Sequence, residues 1–481
     1  MNWTQLLSSK RLGLESEQKR RDDRTEFQRD YDRLIFSAPF RRLQNKTQVF
    51  PLPGSIFVHN RLTHSLEVSS VGRSLGNDVS RQLLERHPEL RDTHFTELGS
   101  IVSAACLAHD LGNPPFGHSG EKAIATFFSE GGGRWLRDYE DPVTGDRLTP
   151  IQWDDLTHFE GNANAFRLLT HHFDGRRPGG FVMTYSTLAS IVKYPFSSNL
   201  AGKHQKFGFF DAEREDYLRI ARELGIPAMP PSGIPSESFA VPATPLAPPS
   251  VTPAAMTGAS ASRPIRFARF PLVYLVEAAD DICYEIMDIE DAHKLRILST
   301  ADTRELLMAF FTPERRDEIA RHLSRLDVRD VNEQVVYLRS CAINCLEGEC
   351  VRVFVENEQS ILDGRFQGTL IQHISHTPRS AYDQCVHTSF DHIYHSKDVV
   401  DIELAGFRVM TFLTELMVEA VMHPDRAYSQ LLLNRVSRQY QIRAPRLYDR
   451  LMAVLDYISG MTDVYALDLY RKINGMSFPN I

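Results

Sequence analysis

The sequence predicts a mostly α-helical protein, and three observations lead there. Leu62, Leu66, Val68 and Val71 return at helical intervals. Residues 271–291 form a long apolar run in which Asp280, Tyr284 and Asp288 fall four apart, on one helix face. Residues 292–481 read as further helices with few breaking residues. Acids on an otherwise apolar face are costly unless they bind something, so the 271–291 helix is expected to serve a site as well as a core.

The chain has 481 residues, a length that suits two or three average domains or one large helical unit. Apolar residues make up 42% and charged residues 24%, enough for a sizeable core. A net charge of -8 excludes a chain coated in basic residues, so any nucleic-acid contact would need a local patch. Six cysteines in this length do not make a disulfide scaffold, and Cys341, Cys345 and Cys350 lack a metal-binding spacing. Buried thiols in a reducing compartment are expected. Met1 to Arg21 is polar and lacks an apolar signal core, and no run of about eighteen apolar residues occurs. These limits predict a cytoplasmic protein without a membrane span.

Taken in order, residues 1–33 are highly charged and read as a solvated helix or arm. From Tyr31 to Phe50 apolar residues mix with cations and amides: a packed helix with a polar rim and then a loop, or a wall of an anion-binding pocket. Pro51-Leu52-Pro53-Gly54 is a loop signal. In the helix that follows, Arg61 and His64 lie three apart and share a face, where together they can serve a phosphate and its metal. Helix continues from Ser69 to Leu107 with a break near His87-Pro88. The apolar segment Ile101 to Ala108 is suited to a dry interior.

That segment delivers His109-Asp110. Two histidines and two carboxylates (His109, Asp110, His118, Glu121) then fall within thirteen residues. A neutral imidazole beside a hard oxygen suits a divalent cation such as Mn, Fe, Ni, Co or Mg. Two neighbouring ligands cannot close a site, so others must come from elsewhere. The Gly112-Asn113-Pro114-Pro115-Phe116-Gly117 segment breaks the helix and lets the chain turn, bringing His118 and Glu121 back over the metal. Beyond Glu121 a helix is expected to Phe128, ended by Gly131-Gly132-Gly133, with 134–158 irregular. Residues 158–167 lead into another helix, and the one around Thr187 stops at Pro195. Lys193 and Tyr194 sit at its end, where a lysine caps carbonyls or contacts phosphate. Residues 227–264 hold ten of the 26 prolines and only two charges, Glu237 and Arg263, and read as an extended insertion. His373, His376, His387, His392 and His395 have no ligand spacing and are expected at the surface.

The ordered set His64, His109-Asp110 and Asp280 resembles the signature of the HD-domain metal phosphohydrolases. Residues 40–50, 61–67, 109–121, 159–162, 188–195, 206–210, 277–284 and 460–463 extend the resemblance to the deoxynucleoside triphosphate triphosphohydrolases (dGTPase-like). The resemblance implies an HD-domain fold with additional C-terminal helices. The HD core would span about 55–295, carrying the Pro-rich 227–264 insertion, and the C-terminal helical region 296–481, within one 1–481 unit. It implies that water attacks the α-phosphorus of a dNTP, dGTP favoured, to give a deoxynucleoside and inorganic triphosphate. By the same resemblance His64, His109, Asp110 and Asp280 hold the metal. Asp280 is preferred to Asp281 because the family places a Tyr four and an Asp eight residues after its ligand. His118 and Glu121 match the catalytic pair. Gln48 matches the amide reading the sugar 3′-OH, and Val49 its pocket neighbour. Arg61, Lys193 and Lys206 match phosphate contacts; Tyr194, Tyr284 and Asp288 match sugar or pocket positions; Asn162 matches an active-site amide. Homo-oligomers, including a hexamer, and a single-stranded DNA or nucleotide effector are expected by resemblance alone. Two other classes stay open: another HD phosphohydrolase, acting on a signalling nucleotide or nucleoside monophosphate, and a non-catalytic nucleotide or nucleic-acid sensor.

Overall fold

The computed structural model of the chain describes residues 1–15, 24–50, 58–202, 206–230, 264–325 and 328–477. Most of the 227–264 segment, and the whole Pro51–Gly54 loop signal, lie outside the described residues. Among the described residues the fold is helical, and extended pairing is limited to isolated bridges such as Thr47–Asn60. No helix there is long and apolar enough to cross a membrane.

Helix Arg61–Arg86 starts at a reciprocal cap: the Asn60 side chain accepts from Thr63 N, and the Thr63 side chain accepts from Asn60 N. It packs along helix Leu98–Ala108. A Cβ on Gly76 would meet Gly99 Cα at 2.8 Å, so only glycine lets the two backbones come this close. Ser69 Oγ donates across the contact to Ser103 O at 2.9 Å. Ile101, Val102, Ala104, Ala105 and Leu107 are fully buried, as the apolar run before His109 requires. Helix Val273–Lys294 lies against both, and Val331–Glu356 backs it. These packed helices therefore bring His64, His109 and Asp280 from three separate stretches to one place.

Three local expectations need correction. Helix Gly117–Ser129 begins four residues before Glu121 rather than after it. The turn through Pro114-Pro115 closes at Phe116, whose φ of 62° and ψ of 20° redirect the chain before His118. His118 and Glu121 thus share the first helical turn. Within the stretch read as irregular, Pro150–Thr157 is a helix, with Thr149 and Gln152 capping each other and Pro150 at its first position. Proline there starts a helix instead of breaking one. The N-terminal arm is partly packed: Trp3, Leu6, Leu7 and Leu12 are buried, and Trp3 Nε1 donates to Glu358 at 2.8 Å.

Apolar side chains gather in two cores. One is built on the Arg61, Leu98 and Val273 helices. The other joins Ile124, Phe128, Leu156 and Phe210 to Met410, Leu451 and Leu455. Helices Lys397–Met422, Leu447–Ser459 and Asp463–Ile473 therefore share a core with the helix that carries His118.

The loop after His109 depends on close backbone contact. A Cβ on Gly112 would meet Ala165 N and Gly161 O, both at 2.1 Å. Gly112→Ala is expected to destabilise the protein by about 1–3 kcal/mol, read by chemical denaturation. An unchanged midpoint would contradict the contact.

Candidate metal and phosphate site

Asp280 is the meeting point. Its Oδ1 lies 3.0 Å from His64 Nε2 and 3.4 Å from His109 Nε2. One ligand atom from each of these three residues falls within 4.8 Å of the others. His109 Nδ1 donates to Cys106 O at 2.6 Å, which turns Nε2 toward the cluster. That Nε2 is buried and makes no hydrogen bond. Burial disfavours charge on His109, yet Asp110 and Asp280 outweigh it and raise the imidazole to about 9. Burial also opposes charge on Asp280, but His109 and His64 hold its carboxyl well below the usual range. Two imidazoles and a carboxylate that together favour a positive charge fit a divalent cation.

Asp110 stands one step outside this triplet. Its Oδ1 is 3.6 Å from His109 Nε2 and accepts from Asn113 Nδ2, while Oδ2 takes Arg61 Nη1 at 2.7 Å. The Arg61 guanidinium also abuts the next element: a Cβ on Gly117 would lie 2.5 Å from Arg61 Nη2. His118 follows, its side chain 70% exposed, with Nδ1 3.0 Å from the Oε2 of Glu121, which is only 10% exposed. Burial would raise the Glu121 carboxyl, but His118, Lys206 and the Gly161 N–H together hold it below its ordinary value. A buried carboxylate thus orients an open imidazole.

The predicted cations are each held by an acid. Lys206 Nζ reaches Glu160 Oε1 at 2.8 Å and Glu121 Oε2 at 3.7 Å. Asn162 Nδ2 donates to the same Glu160 oxygen at 2.5 Å. Lys193 does not cap its helix; its Nζ is 3.4 Å from Glu277 Oε1 and 5.9 Å from the Tyr194 ring centre. Tyr284 packs edge-on to His64 with ring centres 6.3 Å apart. Burial pushes the Asp288 carboxyl well up, which the Tyr394 hydrogen bond only partly offsets. Gln48 and Val49 follow Thr47, whose backbone pairs with Asn60 beside Arg61, and the buried Gln48 Oε1 has no partner.

Two family models match the chain, an HD domain over residues 61–141 and a phosphohydrolase-associated domain over 351–472. A deoxyguanosinetriphosphate triphosphohydrolase-like protein of Synechocystis is 36% identical, covering 99% of this chain and 100% of its own. The chain belongs to the deoxyguanosinetriphosphate triphosphohydrolase-like family. A protein of the same description from Pseudomonas aeruginosa is 35% identical over the full length of both chains. A deoxyguanosinetriphosphate triphosphohydrolase of Yersinia enterocolitica is 29% identical over 93% of each. This triphosphohydrolase-like chain is accordingly an HD-domain hydrolase, and HD domains are metal-dependent phosphohydrolases.

Several residues around the site had no sequence signal. Tyr394 donates to Asp288 Oδ2 at 2.9 Å and faces Tyr284 with ring centres 6.2 Å apart. It ends a π-helical turn, Ser389–Tyr394, more than a hundred residues from either partner. The five histidines 373, 376, 387, 392 and 395 are exposed, as expected. All six cysteines are free thiols, four of them buried.

His59 fixes the entry to the His64 helix in this family member. Its Nδ1 meets Asp291 Oδ2 at 2.7 Å and its Nε2 meets Glu67 Oε1 at 3.1 Å. Burial opposes the charge, but hydrogen bonds to Asp291 and Glu67 outweigh it and raise His59 from 6.5 to about 10. The charged ring therefore stabilises the fold fully below pH 6.5 and progressively less as pH rises through about 10. His59→Gln is expected to lower the thermal midpoint most near pH 6 and to converge on wild type above about pH 10. A pH-independent difference would contradict this.

Proposed function

We propose that this chain hydrolyses deoxynucleoside triphosphates, dGTP foremost, to the deoxynucleoside and intact inorganic triphosphate. The observation that carries the reading is the adjacency of two clusters. Arg61 joins them, bound to Asp110 beside the His64-His109-Asp280 triplet and abutting Gly117 beside the His118–Glu121 pair. The names of the Synechocystis, Pseudomonas and Yersinia relatives support the same substrate class.

In this reading His64, His109 and Asp280, with Asp110 beside them, hold a divalent metal: Mn, Mg, Fe, Co or Ni. A cation bound there supplies Lewis-acid polarisation of a phosphoryl oxygen. Arg61, Lys193 and Lys206 neutralise charge that grows on the phosphate oxygens. Water adds to the α-phosphorus as the bond to the 5′-oxygen breaks. His118 Nε2 gives that poor leaving oxygen a proton, a contribution of about 10²–10⁴-fold. Glu121, accepting from His118 Nδ1, holds the ring in the tautomer and direction this transfer needs. The unpartnered Gln48 oxygen accepts from the sugar 3′-OH, with Val49 as the adjoining wall. Tyr284 and Asp288 flank the sugar, Tyr194 borders the pocket, and Asn162 is an amide at its edge. Tyr284 packed where a 2′-OH would lie penalises ribonucleotides by sterics and desolvation.

Purified chain, given a panel of dNTPs and NTPs with each divalent cation, is expected to release inorganic triphosphate from dNTPs. Release of phosphate or pyrophosphate instead would contradict the cut. His118→Ala is expected to lower kcat by about 10²–10⁴-fold while KM changes little. A Tyr284→Ala variant that keeps the wild-type dGTP/GTP preference would remove the sugar role.

A further inference from the structure

We infer that Asp463 is a positioning residue: its single carboxylate, from the C-terminal helices, holds together the segment that carries Gln48 and the turn that leads into the His118 helix. The inference rests on the hydrolytic reading above and assigns a role to the 460–463 stretch that the site chemistry leaves unused.

Asp463 opens helix Asp463–Ile473, where an acid is ordinarily a favourable neighbour for the helix N-terminus. Here the capping is done by Thr462, whose hydroxyl accepts from Tyr465 N at 3.1 Å. The buried Asp463 carboxylate is spent elsewhere. Its Oδ2 accepts from Thr47 N at 2.8 Å, and its Oδ1 from Phe116 N at 2.9 Å. Thr47 immediately precedes Gln48. Phe116 is two residues before His118 and sits in the left-handed region, at φ 62°, which a bulky side chain rarely adopts. Such a conformation persists only where its surroundings over-determine it. The Asp463 acceptor supplies one restraint. The other is helix Lys397–Met422: Phe116 lies so close to Gly406 that a Cβ there would stand 2.5 Å from the Phe116 Cβ. Ser119 Oγ donates to Glu403 O on the same helix at 2.7 Å.

Lys46 makes the parallel tie from the other side. Its buried Nζ donates to Asn113 O at 2.5 Å and to Ser459 O at 2.9 Å. Asn113 in turn donates to Asp110. Lys46 therefore binds both the 113–116 turn and the 459–463 turn, while Thr47 binds Asp463, which in turn binds Phe116, so the three segments form a three-way junction. The C-terminal helices thereby become part of the frame that aims the proton donor and the 3′-OH acceptor.

The test uses full-length Asp463→Asn and Lys46→Met. An amide in place of the carboxylate can accept one N–H but must turn its NH₂ toward the other. Methionine keeps bulk while removing the N–H donors that reach Asn113 O and Ser459 O. With folded protein confirmed by an unchanged thermal midpoint, each variant is expected to lose kcat for dGTP by about 10- to 100-fold, with a smaller rise in KM. Asp463→Asn is also expected to shrink the wild-type preference for dGTP over 2′,3′-dideoxy-GTP, since the 3′-OH acceptor is no longer held. Wild-type kcat in both variants overturns the inference. So does activity lost only in step with folded protein in both, or an intact dGTP/dideoxy-GTP ratio in Asp463→Asn. A wild-type chain inert toward every dNTP would end the hydrolytic reading itself; an active wild type matched by both variants ends this inference alone.

Discussion

The carboxylate of Asp280, set between the imidazoles of His64 and His109, is the constraint on which the rest of the structure depends. The three side chains come from three helices, and each helix is placed by its neighbours rather than by its own sequence. Ridges narrow enough for Gly76 and Gly99 let the His64 and His109 helices approach closely. The buried, largely apolar run before His109 backs the junction. In a largely enclosed place an uncompensated cluster of ligands is costly, and a cation offsets that cost.

The surrounding charges obey the same rule. Arg61 is paired with Asp110, Lys206 with Glu160 and Glu121, and Lys193 with Glu277, which also takes Arg269 at 2.7 Å. None of these three cations stands alone, so each is oriented before any anion arrives, and little side-chain freedom remains to be lost on binding. His118 is the exception in exposure, an open ring on a buried carboxylate. That contrast suits a group that must meet a ligand while keeping a fixed direction.

What the sequence made legible was what lies on one helix or in one short run. His109-Asp110 announced itself by adjacency, the Asp280, Tyr284 and Asp288 face by its four-residue period, and the buried segment by its lack of charged residues. The start of the His118 helix was misread because a left-handed Phe116 leaves no composition signal. The 134–158 stretch reads as irregular because proline looks alike at the first position of a helix, where Pro150 stands, and in its interior. Lys193 was open between a carbonyl cap and a phosphate contact because its partner, Glu277, is distant in sequence. Lys46 and Asp463 lie in stretches that carry the family resemblance, but their roles, like that of Tyr394, were illegible for a deeper reason. They act through long-range contacts, two of them to backbone atoms, and a backbone N–H or C=O carries no residue identity to match.

Direct measurement of cation binding tests the central claim. Titrating divalent cation into purified protein by calorimetry should reveal one tight site per chain, lost in Asp280→Asn and retained in Asp281→Asn. Binding that survives Asp280→Asn, or that disappears with Asp281→Asn instead, would contradict the account.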